Sequence, residues 1–94
     1  MNAQNGNLLS PLQLTAANGH VKLSRLLIQR GATIDLINDR QETPLDRAAE
    51  NGRTDVARLL IERGANVNVT DNRGRTPLHS ASIESHLDVV MLFA

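Results

Sequence analysis

Apolar residues recur three and four positions apart along much of this chain, and the pattern stops and restarts at a fixed interval. Leu45, Ala48 and Ala49 mark one face of a short helix. Thr43 is a good N-cap, because its hydroxyl can accept from a free N–H of the first turn. Pro44 suits the first helical position, where its missing N–H is not needed. Asp46 falls three residues after the cap and completes a Thr-x-x-acid capping box, with its charge at the positive end of the helix dipole. Gly52 is a natural left-handed stop. A second helix follows from about Asp55, with Val56, Leu59 and Leu60 on its apolar face, Arg63 in its last turn and Gly64 ending it. Val67 and Val69 then alternate ahead of an Asp-Asn-Arg-Gly turn, which reads as an extended, hairpin-like finger.

This pattern occurs three times. Pro11, Pro44 and Pro77 stand 33 residues apart, within "SPLQLTAANGH", "TPLDRAAENGR" and "TPLHSASIESH". "RLLIQRGATIDL" and "RLLIERGANVNV" are again 33 apart. The period divides one domain into units 5–37, 38–70 and 71–94. Helices this short are marginal alone, since isolated helices below about 12–15 residues barely form in water. Each unit must therefore bury its apolar stripes against its copies, and alanines on the first helices permit close stacking. Three units lie near the lower limit for a stable array.

Composition narrows the function classes. Phe93 is the one aromatic among 94 residues, so the core must be built from Leu, Ile, Val and Ala. Ten basic and ten acidic residues balance, and no basic stripe of a nucleic-acid binder is present. The lack of cysteine removes disulfide and thiolate chemistry and fits a reducing compartment. "MNAQNGNLLS" lacks the basic and apolar regions of a signal peptide. No apolar run approaches the ~20 residues that span a bilayer. The expected location is intracellular, cytoplasmic or nuclear.

The period, "TPLH" at Thr76–His79 with Gly74 before it, "LLIERGANVN" at Leu59–Asn68 and "NGH" at Asn18–His20 resemble the ankyrin repeat, over about Asn5 to Ala94. The resemblance implies an all-α fold, an α-solenoid of stacked helix-turn-helix repeats with β-hairpin-like finger loops. It implies a non-catalytic scaffold without cofactor, which binds a partner protein through finger tips and exposed, concave-side positions of the first helices. Carried onto this sequence, those positions are Asp39, Arg40, Glu42, Glu50 and Asn51 in unit two. Unit three offers Asn72, Arg73, Arg75, Ile83 and Glu84, and unit one Gly6, Asn7, Leu9, Ala17 and Asn18. Ile37 and Thr70 close their fingers. Arg40 and Arg73 are one period apart and should project in parallel, suited to carboxylates of a partner. Ile83 is apolar where the family is usually polar. His79 is expected to be a hydrogen-bonding strut between units. Asn68 resembles the finger asparagine that oxygenases hydroxylate in some family members.

The chain also departs from the family pattern. Gln41 and Leu8 replace the finger glycine Gly74, and Ser85 replaces Gly19 and Gly52. Arg47 and Ser80 stand where Leu14 would be repeated. Unit three keeps the features of an internal repeat, so the apolar residues Val89, Met91, Leu92 and Phe93 should be partly exposed. That leads to an alternative reading, a segment of a longer array or a self-associating module.

Chemistry finds little footing. Asp46, Arg47 and Glu50 crowd one turn, but Gln13 and His79 replace Asp46 in the other units, so no acid–base pair persists. Arg47 is expected to lay its stem on apolar surface and pair its head with Asp46, Glu50 or a neighbouring unit. His79 and His86 with Glu84 or Asp88 make a poor metal set. The serines lack a nucleophile-elbow setting, and the glycines follow the repeat period rather than forming a phosphate loop.

Overall fold

The computed structural model describes residues 10–93. Gly6, Asn7, Leu8 and Leu9 lie outside the described residues. Six short helices follow one another: α1 (Pro11–Ala17), α2 (Val21–Gln29), α3 (Pro44–Glu50), α4 (Thr54–Glu62), α5 (Pro77–Ile83) and α6 (Leu87–Met91). Helices α1, α3 and α5 stack as one layer, and α2, α4 and α6 back them as a second.

The predicted punctuation sets these boundaries. Ser10, Thr43 and Thr76 accept from the backbone N–H of Gln13, Asp46 and His79, each with a proline opening the helix. The full capping box forms at Thr76 and His79. At Thr43 only the hydroxyl half is made, because the Asp46 carboxyl turns into the seam with unit three. The first helices end in a left-handed residue with paired bonds back to the last turn. In unit two these run from Gly52 N–H to Ala49 C=O and from Arg53 N–H to Ala48 C=O. In unit three Ser85 takes the same conformation, at φ 59°, and makes the same pair to Ser82 and Ala81.

The core lies between the two layers. Leu12, Leu45, Val56, Leu60 and Val89 fill it, and Ala16, Ala48, Ala49, Ala57 and Ala81 let the helices approach closely. Unit two, covered on both sides, is buried best: α4 hides Val56, Ala57, Leu59 and Leu60, whereas α2 hides only Ser24 completely. Val89 is likewise buried against this core, while Leu92 and Phe93 pack at its margin. Of the four residues expected on an open apolar face, only Met91 is largely exposed. Val89 cannot serve there, because it is fully buried within the same core as Val56.

The fingers are hairpin-like turns, and no described residue forms a strand. Asn38 N–H donates to Glu42 C=O at 3.0 Å, and Asp71 N–H donates to Arg75 C=O at 2.9 Å. The Asn38 side chain also accepts from the N–H of Arg40 and of Glu42, both at 2.9 Å. Asp71 repeats this with Arg73 at 2.8 Å and Arg75 at 3.0 Å. One side-chain oxygen thus folds each finger.

Candidate functional site

Three lines of hydrogen bonds hold the units in register and so fix the surface they present. At the fingers, Asn72 N–H donates to Arg40 C=O at 3.0 Å. Where the units' inter-helix turns meet, Arg53 Nε donates to Ala17 C=O at 3.0 Å, and His86 Nε2 donates to Glu50 C=O at 2.9 Å. Between the first helices, the Gln13 amide donates to Leu36 C=O at 2.8 Å and Glu42 C=O at 2.7 Å. A strut such as that expected of His79 is instead made at the equivalent position of unit one, by Gln13. His79 itself is exposed and bonds Thr76 of its own turn. The pair Arg53 and His86 was missed in the sequence. Its signal was a long donor side chain straight after the left-handed turn residue, Gly52 or Ser85, in successive units.

The proposed contact residues divide by burial. Asp39, Arg40, Asn51, Asn72, Arg73, Ile83 and Glu84 are exposed, as are Asn18, Ile37 and Thr70. Ile83 is 59% exposed. The side chains of Arg40 and Arg73 have no ion pair among the described residues. Glu42 does not reach the surface: it is buried at 4% exposure, accepts from Asn38 Nδ2 at 2.9 Å and lies 3.9 Å from Arg47. Arg75 is half-buried and tied to Asp71 at 3.3 Å. Glu50 is half-buried beside Arg47 at 3.6 Å. Ala17 is at the edge of burial. Arg47 pairs with the carboxylates of Glu42 and Glu50, and not with Asp46.

Beneath this surface sits an acidic cluster. Asp46 is 1% exposed; its Oδ1 accepts from Ser80 Oγ at 3.4 Å, and its Oδ2 has no hydrogen-bond partner. Burial pushes its carboxyl up to about 7, helped by the charges of Asp71 and Glu42 and opposed by Ser80. Glu50 is also raised, by burial and then by Glu42, against the pull of Arg47. For Asp71 burial alone would raise the carboxyl. The N–H groups of Arg75 and Arg73 and the Arg75 guanidinium outweigh that and hold it below the ordinary range. A shifted carboxyl is a common mark of catalysis, but Asp46 lines none of the grooves that follow the inter-helix turns. One of these, about 320 Å³, runs past Asn18, Gly19 and Gly52 to Val56 on another edge. No group of three or more His, Asp or Glu among the described residues is arranged to hold a metal.

The repeated caps, turns and seams agree with comparison to known proteins. A family profile of ankyrin repeats in three copies matches residues 1–71, and a single ankyrin-repeat profile matches 73–93. The chain belongs to the ankyrin repeat family. Ankyrin repeats are in general protein-binding modules, without catalytic machinery of their own. No curated protein matches this ankyrin chain. Among its described residues no helix is long and apolar enough to cross a membrane.

Proposed function

We propose that this ankyrin domain is a non-catalytic scaffold that binds a partner protein across its finger tips and the exposed edge of its first helices. The observation that carries this reading is the finger row. Arg40 and Arg73 are exposed and free of ion pairs among the described residues, on turns locked together by the bond from Asn72 N–H to Arg40 C=O. The locked finger backbones lose little freedom on binding, and the two guanidinium groups they carry suit carboxylates of a partner. Asp39, Asn51, Asn72 and Glu84 give a polar rim, and Ile83 an apolar anchor. Glu50 and Arg75 sit at its edge, half-buried. An intracellular setting fits the lack of cysteine. The test is a pull-down with the triple variant Arg40→Ala/Arg73→Ala/Ile83→Ala, its fold checked by circular dichroism. Loss of the wild-type partner is expected. Retention of every partner would place the binding surface elsewhere.

A second reading, self-association, rests on the exposure of Leu87 and Met91, at 72% and 70%, beside Ile83. Light scattering over a concentration series decides it: a mass that stays monomeric rules it out.

A further inference from the structure

The two seams between first helices are built alike except for one group. The finger turns before α3 and α5 share the same bonds, so the carbonyls that Gln13 reaches at Leu36 and Glu42 have counterparts 33 residues on, at Val69 and Arg75. Arg75 C=O accepts from Asp71 N–H at 2.9 Å, just as Glu42 C=O accepts from Asn38 N–H at 3.0 Å, so each keeps a second lone pair for the strut. At the first seam an amide supplies the donors. At the second seam the position is Asp46, whose carboxylate form can only accept.

We propose that the seam between units two and three is a proton-operated latch, in which Asp46 holds unit three by donating a proton to a carbonyl there and releases its hold when that proton leaves. Its surroundings favour the neutral form. Helix α1 carries no charged residue. From the finger before α3 comes Glu42, from α3 itself Glu50, and from the finger before α5 Asp71. The nearby cations are engaged: Arg47 with Glu42 and Glu50, Arg75 with Asp71. Helix α5 gives Asp46 only the Ser80 hydroxyl, since His79 turns to Thr76. On α4, Asp55 and Arg58 pair with each other in solvent, and Glu62 is exposed. Four carboxyls thus share two guanidinium groups, and the most buried of them, Asp46, has one oxygen without a hydrogen-bond partner at the position where Gln13 reaches carbonyl oxygens.

The sign follows from linkage. The folded chain holds this proton more tightly than the unfolded chain, so the contribution is complete below about pH 4, declines as pH rises toward 7 and is gone above it. Binding by Asn72, Arg73, Ile83 and Glu84 would weaken with it; that consequence rests on the proposed contact surface, whereas the loss of stability does not.

The test is urea unfolding of the chain and of Asp46→Asn at about pH 5.5 and pH 8.5. Asn keeps the size, cannot ionise and retains a donor. The wild-type unfolding constant should rise on the order of tenfold or more across this interval, because one proton held more tightly in the folded chain than in the unfolded one alters that constant about tenfold per pH unit between their two midpoints. Asp46→Asn should lack that rise and be the more stable protein at pH 8.5. The histidines are common to both proteins, so the difference isolates Asp46. An equal pH dependence in both overturns the latch. Carbon NMR titration of the wild-type Asp46 carboxyl covers the case of an unfolded variant: a midpoint near neutrality supports the latch, and one below about pH 5 refutes it.

Discussion

Replacing Gly52 by alanine should be among the most damaging small changes in this chain, and the reason lies in the next unit. Gly52 has φ +68°, and forcing an L residue into that conformation costs about 1–2 kcal/mol. The added Cβ would also stand 2.7 Å from His86 Nδ1 and 2.9 Å from Cε1. The ring must move, which breaks the 2.9 Å bond from His86 Nε2 to Glu50 C=O. Losing that bond adds about 1–2 kcal/mol. The sum is about 2–4 kcal/mol, a large part of the roughly 5–14 kcal/mol expected at this chain length. Gly19→Ala should cost less. Its Cβ meets Arg53 Cδ at 3.0 Å, the flexible stem of a chain that can swing aside. Ser85→Gly should go the other way. Ser85 already bears the left-handed penalty, and relief of about 1–2 kcal/mol outweighs the roughly 0.5–1 kcal/mol of added unfolded-state entropy. The assay is urea unfolding followed by circular dichroism, compared at constant m-value. The reasoning fails if Gly52→Ala costs no more than Gly19→Ala, or if Ser85→Gly destabilises. In a double-mutant cycle, His86→Ala should absorb part of the Gly52→Ala penalty, because the ring is then no longer in the way.

Leu60→Ala empties the centre of unit two, where Leu60 has no solvent exposure, and should cost about 2–5 kcal/mol in the same unfolding assay. Thr43→Ala removes the hydroxyl that accepts from Asp46 N–H at 3.2 Å and should cost about 1 kcal/mol. Asp71 is held below the ordinary carboxylate range, so its contribution is present above about pH 4 and is lost as pH falls further. Acid unfolding of Asp71→Asn should therefore show a shallower slope than wild type below about pH 4, though the variant starts less stable because it loses the guanidinium pairing to Arg75.

Helices, caps and stops were legible in the sequence because each depends on neighbours within one turn. Ser10, Thr43 and Thr76 need only the residue three positions on, and Gly52 only its own φ. The seams were not legible in the same way. That Arg53 and His86 are equivalent struts depends on carbonyls 36 residues back, and nothing in their side chains announces it. The ankyrin resemblance alone places Glu42 among the exposed contacts, by carrying the family's docking positions onto this sequence. Burial became possible only when Asn38 and Arg47 met it from either side. Asp46 carries both a success and a miss. Its N–H is capped as the local pattern required, while its side chain obeys the stack and leaves the capping box half-made. Exposure of Arg40 and Arg73 was readable from the turn alone, but their mutual register follows from a backbone bond between fingers.

Variation among the units follows from what each seam demands. Position 52 must be glycine for two separate reasons, conformation and the ring of His86; position 85 answers to conformation alone among the described residues, and there serine stands. The strut position follows the same logic. Gln13 does not titrate and bonds two carbonyls at any pH, so the strut of the first seam does not respond to pH. Asp46 occupies the equivalent place with a carboxyl that has fewer partners, surrounded by Glu42, Glu50 and Asp71. A stack of nearly identical units can thus acquire a single responsive joint by changing one side chain, because nearest-neighbour coupling confines the effect to that seam. Asp46→Gln should make the second strut as insensitive to pH as the first, leaving the finger arginines and their spacing untouched.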